Sequence, residues 1–118
     1  MIAPSPTLFA LVVAFLAVHE LDAIRNHEWR VFFAPLPVDD ETGYRAFTAL
    51  HVPLFVAVVA FYPVPTFRTG LAVFAVAHGG IHLVLRNHPR VEFAGWFSGL
   101  WIYGASAIGV LSLLVATW

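Results

Sequence analysis

Six histidines are present in this chain of 118 residues, and four of them, His19, His51, His78 and His82, fall inside strongly apolar stretches. Hydrocarbon offers no water to solvate an imidazole, so a polar ring there faces a partner or a functional site. His78 and His82 are four residues apart and share one helix face, the spacing that lets two imidazoles grip one ion. His19 and His51 belong to two other stretches. Asp22 is three residues beyond His19 and can share its face, whereas Glu20 points roughly 100° away. Three or four nitrogens with a carboxylate suit Zn²⁺ or non-haem iron, and the carboxylate can ligate or orient a ligand. His19, His51, His78 and His82 are therefore the candidate metal ligands, with Glu20 and Asp22 the candidate catalytic bases.

Competing readings exist for the same residues. A lone histidine in an apolar helix is more often a packing residue; four at one depth, two of them paired, weaken that explanation. Opposed His51 and His78 could instead serve as the axial ligands of a b-type haem, one on each face of the ring. His27 and His88 lie beside arginines, where solvated interfacial positions are expected. His19-Glu20-Leu21-Asp22-Ala23 is not a zincin motif, because the second histidine that spacing requires is replaced by Ala23. The histidine pattern of membrane di-iron desaturases is absent as well.

The elements that must position these side chains are membrane helices. Hydrophobic residues make up 60% of the chain, charged residues only 11%, and mean hydropathy is +0.83. Soluble domains carry about 25% charged residues, so most of this surface is not made for water. A net charge of −1 and the lack of a basic run give no sign of nucleic-acid binding. Absent cysteine removes thiolate ligands and disulfides.

Proline-rich breaks divide the chain into four spans. The first runs from about Thr7 to Ile24 and is expected to continue as a polar-faced helix to Phe33, where Ala34-Pro35-Leu36-Pro37 ends it. Asp39 or Asp40 can cap the second, which reaches Tyr62. Pro63-Val64-Pro65-Thr66 leads to a third span from about Phe67 to Arg86. Asn87-His88-Pro89 precedes the fourth, Glu92 to Trp118. Each is roughly 20 residues, enough for about 30 Å of hydrocarbon. The expected fold is all-α: one domain, residues 1–118, as an up-down-up-down four-helix bundle. The start lacks the positive segment and cleavage pattern of a signal peptide, so the first span is expected to be retained.

A rise of 1.5 Å per residue gives the depths. From the outer ends of the spans, His78 lies roughly 15 Å in, His51 about 16 Å, His19 about 20 Å and His82 about 21 Å. Arg25, Arg30, Arg45, Arg86 and Arg90 fall at one end of the bundle and Arg68 at the other. The positive-inside rule then predicts a multi-pass plasma-membrane protein with both termini outside.

At His19–Phe32, which reads HELDAIRNHEWRVF, the chain resembles an uncharacterised family of small four-span membrane proteins, a domain-of-unknown-function family. The resemblance extends over Gly43-Tyr44-Arg45 with His51, His78 with His82, and Glu92-Phe93-Ala94-Gly95-Trp96. It implies the four-span fold and no activity. A weaker similarity links the lone histidine plus HxxxH pair to the intramembrane zinc hydrolases related to ceramidases and adiponectin receptors, which have seven spans.

Gly95 and Gly99 in the fourth span, continued by Ala105 and Gly109, let helices approach closely. Packing within the bundle is expected, with homodimerisation as the alternative. Trp96, Trp101, Tyr103 and Trp118 include interfacial anchors. Two classes of function remain. One is an intramembrane metal-dependent enzyme acting on a lipid-like, hydrophobic small molecule through one zinc or iron ion. The other is a non-catalytic module, either a haem b holder or an accessory subunit.

Overall fold

The computed structural model describes residues 4–93 and 95–116. It contains α1 (Pro6–Arg25), α2 (Trp29–Phe32), α3 (Asp40–Phe61), α4 (Pro65–Leu85) and α5 (Gly95–Leu114), with no strand among the described residues. All but α2 are long and apolar enough to cross a membrane. Contacts at the two ends of the bundle establish the up-down-up-down order. Arg68, at the start of α4, donates to the Pro4 carbonyl before α1 and to the Tyr62 carbonyl after α3. At the opposite end, Trp29 and Arg30 donate to Asp40 at the start of α3, and Arg30 also reaches Glu92 before α5.

Local chemistry explains most boundaries. Ser5 accepts from the Leu8 N–H ahead of Pro6, and Pro65 opens α4, where its missing N–H costs nothing. Asp39 rather than Asp40 is the cap of α3: its carboxylate accepts the Thr42 N–H at 2.8 Å and the Thr42 hydroxyl at 2.9 Å. Those two bonds hold the Asp39 carboxyl below the ordinary carboxylate range.

The first helix does not continue to Phe33 as expected. It stops at Arg25, and His27 takes the left-handed conformation at φ 54°. The His27 N–H then bonds the Ile24 carbonyl and the Glu28 N–H the Ala23 carbonyl. This is the paired pattern of a Schellman cap, built here without glycine. It folds the chain back on itself, and residues 29–32 form a separate single turn. The fourth span also starts later than Glu92: Glu92 and Phe93 are not helical, and Gly95 enters α5 at φ 82°, a value that favours glycine. Ala94, Thr117 and the expected Trp118 anchor lie outside the described residues.

Packing is uneven. α5 lies against α1 and α4 across small residues, and a Cβ at Gly109 would come within 2.9 Å of the Ala72 carbonyl. One at Gly79 would collide with Ser106, whose hydroxyl donates to the Ala75 carbonyl at 2.8 Å. Gly95 and Gly99 take no part in this close approach; a Cβ at Gly99 would meet only Tyr103 of its own helix. α3 stands aside, with buried residues only at Gly43 and Phe47 near its start. Phe47 packs there with Ala23 and Trp29.

Candidate metal centre

α1 and α4 run in the same direction, so their histidines can meet. The His19 ring is fully buried, with centroids 4.7 Å from His78 and 5.1 Å from His82. His78 and His82 are 4.5 Å apart, the one-turn spacing expected on one helix face. The Schellman reversal after α1 turns Glu28 inward, where its Oε1 accepts from His82 Nε2 at 3.0 Å and lies 3.5 Å from His19 Nε2. Phe93 packs on both the His19 and His82 rings from the loop before α5.

One ligand atom from each of His19, Glu28, His78 and His82 lies within 4.8 Å of all the others. Bonds of about 2.0–2.2 Å around a tetrahedral ion put ligand atoms roughly 3.3 Å apart, so closing the group takes side-chain shifts of about 1 Å. The donor set suits such an ion. Neither His19 ring nitrogen has a hydrogen-bond partner, and His78 Nδ1 is equally buried and unpaired. An unmet buried polar atom costs about 1–3 kcal/mol; His19 Nδ1 and His78 Nδ1 are two such atoms, and His19 Nε2 has only the Glu28 oxygen at 3.5 Å. Burial would push the Glu28 carboxyl up, but the contacts from His19 and His82 outweigh it and hold it at about 2. The group thus contains an anionic oxygen beside three imidazoles.

His51 stands apart from this group and is fully satisfied. Its Nδ1 lies 2.7 Å from the Phe47 carbonyl, which can only accept, so Nδ1 carries a proton. Its Nε2 lies 2.6 Å from Glu20 Oε2. A contact that short needs one proton between the two atoms, so imidazole and carboxyl share it. The other Glu20 oxygen is 4.0 Å from His19 Nε2. Glu20 therefore stands between the four-residue group and the His51 ring.

A cavity of about 440 Å³ separates α3 from α4. Glu20, Glu28, His51, His78 and His82 all face it, and the rest of its lining is apolar. A smaller cavity of about 150 Å³ lies on the far side of His82 and Phe93, where Arg86, Ser98 and Tyr103 contribute.

Of the residues singled out in the sequence, the structure gathers His19, His78 and His82, sets His51 with Glu20, and leaves Asp22 outside both groups. Asp22 Oδ2 is buried without a hydrogen-bond partner, and its backbone carbonyl takes both Asn26 donors. Glu28 was missed as a site residue. Its only signal was membership of the His27-Glu28-Trp29-Arg30 segment, because nothing in helix periodicity points it inward. His27 bonds Glu92 at 2.9 Å at the bundle end, and His88 accepts the Arg90 N–H, in keeping with their polar surroundings.

No curated protein and no solved structure matches the chain. The model for a family of unknown function, DUF6713, matches residues 5–118, in keeping with the resemblance carried by HELDA…HEWR, and the chain belongs to that family.

Proposed function

We propose that this protein is an intramembrane metalloenzyme acting on a lipid-like substrate, with one zinc or iron ion held by His19, Glu28, His78 and His82. The observation that carries the reading is a fully buried His19, without a hydrogen bond at either ring nitrogen, inside a four-residue donor group. A divalent ion there supplies a Lewis acid and lowers the pKa of bound water. Glu20 and His51, sharing a proton across the cavity from His78 and His82, are placed to accept and return one. Asp22, one turn beyond His19, is the second candidate carboxylate. The haem reading is weaker, because both His51 nitrogens are already engaged.

Elemental analysis of protein purified without chelators tests the metal. About one zinc or iron per chain is expected. A metal-free preparation of full stability overturns the reading, and a Soret band in the visible spectrum replaces it with haem.

The arginine distribution supports a plasma-membrane orientation with both termini outside and the Arg25, Arg30, Arg45, Arg86 and Arg90 end in the cytoplasm. Single cysteines at Pro37 and Val64, probed on intact cells with an impermeant thiol reagent, test it. Labelling at Val64 alone is expected; labelling at Pro37 alone inverts the orientation.

A further inference from the structure

The cavity between α3 and α4 has two unlike surfaces. Its back wall carries Glu20, Glu28, His51, His78 and His82, all at least partly buried. Its rim is Leu50, Leu54, Phe74 and Ile81, each between 44% and 58% exposed. In a bilayer that rim faces acyl chains, so whatever reaches the polar wall from this side passes through hydrocarbon. The volume, about 440 Å³, sits near the low end of the roughly 300–1,000 Å³ of ligand pockets, which suits one chain rather than two. No arginine lines it, and two carboxylates do, so a phosphate head finds repulsion and no cationic fork. His82 and His78 lie three and seven residues inside the end of α4, about 5 and 10 Å below it, where the first carbons of an acyl chain sit.

We propose that the cavity receives a single-chain acyl amide or acyl ester directly from the bilayer through the α3–α4 opening. Its linkage lodges between the His19–Glu28–His78–His82 group and the Glu20–His51 pair. The chain lies along the rim, and the carbonyl oxygen faces the donor group. An amide N–H or ester oxygen faces Glu20 and His51, one of which accepts and the other of which donates. The position of the chain rests on the cavity alone; the orientation of the linkage rests on the metal reading above. The smaller cavity beyond His82, lined in part by Arg86, Ser98 and Tyr103, gives water a separate approach to the same histidine.

The test uses the full chain in phosphatidylcholine vesicles with an N-acyl ethanolamine bearing a diazirine in its chain. A two-chain phosphatidylcholine with the same diazirine is the comparison probe. Mass spectrometry of the photolabelled peptides should find the single-chain probe on Leu54 and Ile81 about ten-fold above Val59, which is 78% exposed on the outer side of α3. Leu54→Trp should abolish cavity labelling and Val59→Trp should not; Ile81→Trp narrows the opening from the other wall if the Leu54 variant fails to fold. Even labelling of Leu54, Ile81 and Val59, or equal cavity labelling by the two-chain probe, overturns the proposal. Metal content of the same samples separates the two readings. Selective cavity labelling without metal defeats only the metal centre, and bound metal with unselective labelling defeats only the lipid path.

Discussion

Opposite sides of the cavity are held in different ways. On one side, α4 and α5 interlock through Ala72, Ala75, Gly79, Ala105 and Gly109, and α5 meets α1 where Gly104 faces the Phe15 ring. At these positions an added methyl group or a backbone shift is felt at once. On the other, α3 is tied by Asp40 to Trp29 and Arg30, by His51 to Glu20, and by Tyr62 to Phe9 and Arg68. The side chains follow the same division. On the tight side neither His19 nitrogen nor His78 Nδ1 has a hydrogen-bond partner and His82 bonds only Glu28, while His51 on the loose side has a partner at each nitrogen. A fixed donor set needs rigid supports, whereas an opening to lipid needs a neighbour that is not packed shut. One small bundle supplies both by packing three helices closely and leaving the fourth at a distance.

The largest expected contrast is between the two kinds of histidine. His19→Ala should reduce metal affinity about 100-fold or more, because it deletes the one donor buried on every side. His51→Ala should leave metal content unchanged. Elemental analysis and competition with a chromophoric chelator measure both, and equal losses would place His51 in the donor group after all. The next contrast concerns packing. Gly79→Leu should cost about 1–3 kcal/mol or more in reversible unfolding in detergent, since its side chain would run into Ser106. Gly80→Leu, one residue away with open space around its Cβ, should be nearly neutral. Similar losses at both would show that α4 meets α5 with a different face.

The smallest effect is expected at the reversal after α1. His27→Gly relieves a left-handed backbone worth about 1 kcal/mol and gives up the bond to Glu92, so stability should change by less than about 1 kcal/mol. Metal content should survive, because the turn that aims Glu28 is preserved. A metal-free but folded His27→Gly protein would mean that the ring itself, through Glu92, holds the centre in register.

Much of the fold was legible in the chain. The breaks at Pro35–Pro37, Pro63–Pro65 and Pro89 delimit four apolar runs, and the spanning helices begin or end within six residues of them, except that α1 ends at Arg25, ten residues before Pro35. The Schellman reversal was not legible, because a left-handed histidine carries none of the signal that a glycine would give. That reversal is also what brings Glu28 inward, so the missing boundary and the missing donor have one cause.

The sequence by itself determined that this is a four-span membrane protein and that His19, His51, His78 and His82 lie at similar depth. Rise per residue is a local property of the hydrogen-bonded backbone and accumulates predictably along each span. Only the tertiary structure decided which of those histidines face one another. Rotation about the helix axis and the lateral distance between helices depend on contacts remote in sequence, such as Gly79 against Ser106 and Gly109 against Ala72. Those contacts draw α4 and α5 together and leave α3 apart, which separates His51 from three histidines at its own level.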